Sequence, residues 1–344
     1  MRLSRFRAAG LIAGTALALA SQAAVAQTTL LLNVFMPRTH HFFTDVFEPW
    51  AKQVASATEG RVKIEFSGSS LAPIPRQFDM VQKGIADLTI DQTIFNANRF
   101  ELVKVAEFPF TSDNTEALSV ALWRTYDRHF AKANEYDGVK VLSFVSTGAS
   151  HFWTSRKPVA RLADAQGLKV RMSGVYTREL ARALGIAPIA EPGPKAYELV
   201  SNGVVDGSVF SVIDIVNFKL SRELPHVTMI PGGLYSAGFA LIMNQAKWDA
   251  LPKADQDALM SVSGEAFARM SGKAWDAANT KAIGDLRQAG LKEARLSEAE
   301  LAELKKRLAP IEDGWLAAAE RKGVDGKAAL AYFREQIAAV EKGR

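Results

Sequence analysis

The chain has 344 residues, 48% of them hydrophobic and 23% charged, with 42 lysines and arginines against 37 acids. That length is enough for two ordinary domains with real cores. No residue is a cysteine, so disulfides, thiol chemistry, iron–sulfur clusters and cysteine-based zinc sites are excluded.

The net charge of +5 rests largely on the N-terminus. Arg2, Arg5 and Arg7 precede the apolar, small-residue run from Ala8 to Ala20, and Ala24-Val25-Ala26 has the small-x-small pattern a signal peptidase accepts. Residues 1–26 are therefore expected to be an export signal; the run is too short for a membrane span of about 18 apolar residues. The mature chain would begin near Gln27, in the periplasm, with 39 basic and 37 acidic residues and a net charge of +2. No Lys/Arg stripe remains, so no nucleic-acid partner is expected. An exported chain without disulfides stands on its core alone, which suits a large bacterial periplasmic protein.

In chain order, Leu30 to Met36 reads as an apolar strand ending at Pro37, followed by Arg38-Thr39-His40-His41 and an amphipathic helix from about Thr44 to Ala57. Val62 to Phe66 alternates as a second strand and runs into Ser67-Gly68-Ser69-Ser70. A helix over Gln77 to Lys83 leads through Gly84-Ile85-Ala86-Asp87 to a third strand, Leu88 to Ile90. Asn114 to Phe130 reads as helix, Val139 to Val145 as strand, and Ser146 to Ser150 as a link of small residues.

The second half repeats this grammar. Gly60, strand, Ser67-Gly68, helices, Gly84-x-x-Asp87 and strand is echoed by Gly167, strand, Ser173-Gly174, helices, Gly203-x-x-Asp206 and strand. Two similar α/β lobes explain the echo, with 27–148 plus 237–276 in lobe I and 149–236 plus 277–344 in lobe II. Phe239 to Met243 reads as one more strand, and Pro252 to Arg344 as nearly all helix, with Asp255 to about Gly290 long enough to cross between lobes.

Within Gly167–Gly174, Leu168, Val170 and Met172 alternate with Lys169 and Arg171, the period of a strand with one packed face. A charge near the carboxyl end of such a strand points to the crevice where α/β proteins bind ligands, which makes Arg171 the first candidate contact. The alternative is a solvated strand-end charge. Catalytic patterns are thin. Leu234-Tyr235-Ser236-Ala237-Gly238 matches a nucleophile elbow only in its last three positions, and no Walker or G-x-G-x-x-G run is present, which leaves an exported hydrolase as a remote reading. The adjacent His40 and His41 are expected to diverge, which argues against a metal site. No cofactor is expected.

The order of export signal, Gly60-Arg61-Val62-Lys63-Ile64-Glu65-Phe66, Gly84-Ile85-Ala86-Asp87, Lys157-Pro158-Val159, Asp164, Gly167-Leu168-Lys169-Val170-Arg171, Leu184-Gly185, Tyr197, Gly203-Val204-Val205-Asp206-Gly207 and Asn244-x-x-x-Trp248-x-x-Leu251-Pro252 resembles the periplasmic solute-binding proteins of TRAP transporters. The resemblance implies a two-lobed α/β periplasmic binding protein of type II-like architecture, with hinge strands and a long helix spanning both lobes. It implies an organic acid anion as ligand, a receptor rather than an enzyme, and the small and large TRAP permease subunits as membrane partners; a monomer is expected. Arg171 falls on the family's signature arginine, whose planar fork matches two carboxylate oxygens.

Where sialic-acid-binding members place a second arginine, this chain has His151; where they place asparagine it has Phe210, with Val209 or Ser211 as the one-residue alternatives; and Gln92 stands where they have an acid. These differences point to a smaller or aromatic monocarboxylate or a 2-oxo acid, a C4-dicarboxylate or a receptor serving a sensor being the other readings. His151 is weighed as a second anion contact whose deprotonation would weaken affinity as pH rises, or as a structural hinge residue. Arg38, His40 and His41 follow the first strand and Gln92 and Thr93 the third, at the expected cleft; Phe108 to Phe110 could supply wall, and Tyr235 lies where the chain returns to lobe I. Asp87 and Asp206 are expected to fix turns, since an acid would repel an anion.

Overall fold

The computed structural model describes residues 27–96 and 98–343; the export signal expected at 1–26 lies outside them. Its strands are β1 (Thr28–Asn33), β2 (Val62–Phe66), β3 (Leu88–Gln92), β4 (Val139–Ser146), β5 (His151–Thr154), β6 (Lys169–Met172), β7 (Ala187–Ala190), β8 (Gly207–Phe210), β9 (His226–Thr228), β10 (Gly238–Asn244) and β11 (Lys292–Ala294). Its helices are α1 (Glu48–Ala57), α2 (Gln77–Gln82), α3 (Thr115–Thr125), α4 (Thr177–Leu184), α5 (Ala196–Ser201), α6 (Val212–Asn217), α7 (Gln245–Asp249), α8 (Lys253–Ser261), α9 (Gly264–Gln288), α10 (Glu298–Leu308), α11 (Pro310–Arg321) and α12 (Gly326–Glu341).

Two sheets carry the fold. The first has the order β2-β1-β3-β10-β4 and the second β11-β9-β5-β8-β6-β7. The echo in the sequence is visible in the topology: β1 pairs in parallel with β2 and β3, as β6 does with β7 and β8, and an antiparallel strand, β10 or β5, lies against the third member of each set. Antiparallel β10 reaches the first sheet from the far half of the sequence, while β4 leads out of it toward β5.

The two matching acids do matching work. Asp87 Oδ2 accepts from the Leu31 N–H at 2.8 Å, and Asp206 Oδ2 accepts from the Lys169 N–H at 2.9 Å, so each ties the first strand of its sheet to the turn entering the third. The preceding Gly84 and Gly203 have φ of +71° and +66°, a conformation that a side chain would strain. Neither acid lines the interlobe cavity described below.

Several segments differ from expectation. β1 ends at Asn33, short of Met36, and the helix expected from Thr44 opens with a π-turn over Phe43–Phe47 before α1. Asn114 caps α3 by accepting from the Ala117 N–H at 2.8 Å, and a π-turn over Tyr126–Phe130 continues it. The single helix expected from Asp255 to Gly290 is two, because Gly264 takes a φ of +50° after an extended Ser263. Short strands β7, β9 and β11 escape sequence reading because three or four residues show no usable period.

The C-terminal helices also divide differently from the expected 277–344 block. α10 packs on α4, but α12 lies along α3 and α11 against the 102–107 turn of the first lobe. Trp315 Nε1 donates to the Leu102 carbonyl at 3.0 Å, and Arg124 Nη1 to Gln336 Oε1 at 2.8 Å. A buried glutamate staples the lobes: Glu107 accepts from the Gly238 N–H at 3.1 Å and, across the gap, from the Val175 N–H at 3.0 Å. Burial pushes its carboxyl up to about 7 against these hydrogen bonds.

Candidate ligand-binding site

β6 carries Arg171 into the space between the two sheets, on the face it shares with Ser208 and Phe210 of β8. The residue is fully buried. Its Nε donates to the Glu191 carbonyl at 2.8 Å and its guanidinium lies 4.1 Å above the Phe210 ring, but Nη1 and Nη2 have no partner among the described residues. Burial lowers its pKa, yet an arginine at physiological pH stays charged. An unpartnered buried cation is costly, and the fork it leaves open matches a carboxylate.

The cavity it faces encloses about 60 Å³, room for a few water-sized groups at roughly 10–15 Å³ each. Its wall is aromatic: Phe35, Phe42, Phe239 and Trp275 meet Phe210, Phe218 and Tyr235. Polar groups are few, namely Gln92, Thr147, Ser150, Ser173, His40 and Asp214. Strand alternation assigns the ambiguous position. Val209 packs into one hydrophobic cluster and Phe210, which lines the cavity, into the other, while the Ser211 hydroxyl donates to Asp214 Oδ2 at 2.9 Å.

Of the residues expected at the site, Arg171, Phe210, Gln92, His40 and Tyr235 come together there. Tyr235 is itself a clamp: its hydroxyl donates to the Val209 carbonyl at 3.1 Å and accepts from the Ser173 N–H at 3.2 Å, joining the ends of β6 and β8. Gly174 admits the ring, since a Cβ there would lie 2.8 Å from it.

Others lie elsewhere. Arg38 is exposed, donating to the Ser67 carbonyl at 2.5 Å with its guanidinium over Phe43 and Phe66. Thr93 is buried with its hydroxyl 3.1 Å from the Gly238 carbonyl, and Phe108 and Phe110 line a separate groove against α10 and α12. His40 and His41 do not diverge but stack at 4.9 Å, because His40 lies in the bend just ahead of the helical segment that His41 opens, so the two do not share one regular element. Burial, reinforced by His40, pulls His41 down to about 4.

His151, weighed as a second anion contact, also lies outside this cavity. β8 lies between β5 and β6, so two strand spacings, about 10 Å, separate it from Arg171. Its Nδ1 accepts from the Ile230 N–H at 3.3 Å, and it faces another groove with Asn279 and Ile283. Burial lowers its pKa to about 4, so it is neutral near pH 7. The expected consequence lies in stability. With a folded pKa near 4 and an unfolded value near 6.5, the contribution is intact above pH 6.5 and lost as pH falls toward 4, about 3 kcal/mol in the limit. His151→Gln, which keeps the acceptor, should flatten acid unfolding over that window without changing ligand affinity at pH 7; an unchanged acid profile would contradict it.

Sequence reading missed Asp214, Trp275, Phe239 and Phe218. Asp214 was within reach as the fourth residue of Ser211-Val212-Ile213-Asp214, a helix-opening pattern. Trp275 was not, since the periodicity of a helix buried on several sides does not say which side meets the cavity.

Comparison with known proteins agrees with this architecture. The family model described as bacterial extracellular solute-binding protein, family 7, matches residues 32–317. A TRAP periplasmic solute-binding protein from Bordetella bronchiseptica, solved with bound (R)-mandelate and (S)-mandelate, superposes with a TM-score of 0.88 at 37% identity, covering 91% of this chain and 99% of that one. A TRAP solute-binding protein from Rhodoferax ferrireducens in complex with copurified benzoate gives 0.84 at 25% identity, covering 92% and 99%. A Comamonas testosteroni protein described as outer membrane transporter protein TsaT is 36% identical over 336 residues, 97% of this chain and 98% of its own. The chain belongs to bacterial extracellular solute-binding protein family 7, the substrate receptors of TRAP transporters, and is a receptor rather than an enzyme.

Proposed function

We propose that this protein is exported through residues 1–26, binds an aromatic monocarboxylate in the periplasm with Arg171 bridging the carboxylate, and delivers it to the small and large subunits of a TRAP permease. The observation that carries the reading is the pair of unpartnered guanidinium nitrogens on a fully buried Arg171, aimed into an aromatic-walled cavity. The mandelate and benzoate held by two similar receptors support the same ligand class. A second carboxylate would find no second arginine or lysine in the wall and would meet Asp214 instead, which disfavours a C4-dicarboxylate.

Closure around the ligand excludes water from the Arg171 contact, where a charge-assisted bond contributes about 1.5–3 kcal/mol. A thermal-shift and calorimetric panel tests the reading: benzoate, phenylacetate and mandelate should stabilise the protein and be recovered unchanged, and succinate and malate should not. Stabilisation by the dicarboxylates alone, or turnover of any acid, overturns it. Phe210 should matter through its ring. Phe210→Ala removes the cation–π partner and part of the wall, and affinity for benzoate should fall about tenfold; equal affinity in a titration would remove Phe210 from the site.

A further inference from the structure

The aromatic wall contains one feature that a plain aromatic acid does not use. Asp214, in the first turn of α6, is 8% exposed and lines the cavity. Burial opposes its ionisation, but His40, His41 and the Ser211 hydroxyl outweigh that and hold its carboxyl below the ordinary range. The cavity thus contains two firm charges, Arg171 and Asp214, near enough to influence one another.

The coordination of Asp214 is lopsided. Oδ2 is well served by the Ser211 hydroxyl at 2.9 Å. Oδ1 has only long contacts, 3.5 Å to Asn217 Nδ2 and 3.7 Å to His40 Nε2, both beyond the 2.7–3.2 Å of a good hydrogen bond. A carboxylate has about four lone-pair sites, so Oδ1 retains acceptor capacity inside the cavity. A second anion would be repelled by it, and a hydrocarbon would leave it unmet.

Resting on the aromatic-acid reading above, we infer that the ligand carries a hydroxyl as well as its carboxylate, and that Asp214 is the specificity-determining residue that accepts from this hydroxyl while Arg171 holds the acid. The donor is neutral rather than an ammonium. An ammonium has three protons to satisfy, and among the described residues Asp214 is the only acid that lines the cavity. A site that hydrogen-bonds a ligand hydroxyl discriminates strongly against the analogue lacking it, because the buried polar group is then left unpaired.

The test compares matched pairs by calorimetry on the mature protein: each mandelate enantiomer against phenylacetate, and 3-hydroxybenzoate against benzoate. At least one hydroxylated acid should bind tenfold or more tighter than its parent. In Asp214→Ala that advantage, taken as the ratio of the two affinities in the same variant, should shrink to threefold or less, with a cooperative unfolding transition reporting an intact fold. Should that variant not fold, Asp214→Asn is used, and the advantage should fall at least threefold because a neutral amide oxygen accepts more weakly than a carboxylate. Parent acids that bind as tightly as every hydroxylated partner, or an advantage that survives in the variant, overturn the inference and leave the aromatic-acid reading standing. Tighter binding of phenylglycine than of mandelate overturns the neutral-donor assignment. Failure of all these acids to bind instead overturns the underlying reading.

Discussion

Arg171→Met is expected to abolish binding of aromatic acids while raising the melting temperature of the unliganded protein. The two effects have one cause. The guanidinium is fully buried, its Nη1 and Nη2 make no hydrogen bond among the described residues, and burial acts against its charge. Replacing a buried charge that its hydrogen bonds only partly compensate by an apolar chain of similar volume is expected to be neutral or stabilising, by up to about 1–4 kcal/mol as for buried ion pairs. At roughly 2–4 °C per kcal/mol, that is a measurable rise in scanning calorimetry. In the proposed complex the ligand carboxylate would lose the one arginine that lines the wall, at a cost of about 2–5 kcal/mol, so affinity should drop at least a hundredfold. Arg171→Lys restores charge without the two-pronged geometry and should recover only part of the loss. Benzoate or mandelate binding within tenfold of the original in Arg171→Met would remove the central contact from the proposed function, whatever the stability change.

Much of the architecture was legible because it follows from short-range periodicity. Val62 and Ile64 are buried and Lys63 and Glu65 exposed, as strict alternation predicts. The two Gly-x-x-Asp turns announced equivalent strands, and their acids bond equivalently. The cavity wall of the candidate site was legible only where a residue's position along its strand also fixes its place in the cleft. Arg171 and Phe210 met that condition, since they lie on neighbouring strands and the same face. His151 did not. Its register opposite Phe210 is close to ideal, but the order of strands, invisible in the sequence, puts it on the far side of β8. Arg38 failed for another reason: a long side chain on a loop is free to fold outward, and it does so over Phe43 and Phe66.

Gly272→Val is expected to damage both stability and binding, whereas Gly284→Ala in the same helix should be harmless. α9 runs close enough to α3 that a Cβ on residue 272 would sit 2.3 Å from the Glu116 Cα and 2.6 Å from its nitrogen. These are backbone atoms, so no rotamer relieves the clash; the helices must separate, at a cost of about 3 kcal/mol or more. Separation would undo more than packing. One turn on, Asp276 accepts from the Thr115 and Glu116 N–H groups at 2.8 and 3.1 Å and so caps α3. Trp275, between them, lines the cavity and meets His41 edge-on at 4.3 Å. Asn279 then accepts from the Ile213 N–H at 2.9 Å, reaching α6, the helix of Asp214. The same stretch of α9 therefore sets lobe I helix, cavity wall and lobe II helix relative to one another. Gly272→Val should lower the melting temperature by roughly 6 °C or more, and surviving protein should bind aromatic acids more weakly because Trp275 is displaced. At Gly284 a Cβ would meet nothing within 4 Å, and the backbone there is ordinary helix, so Gly284→Ala should stabilise by about 0.5–1 kcal/mol. Equal melting temperatures for the two variants would show that the α3–α9 approach is more yielding than its geometry implies.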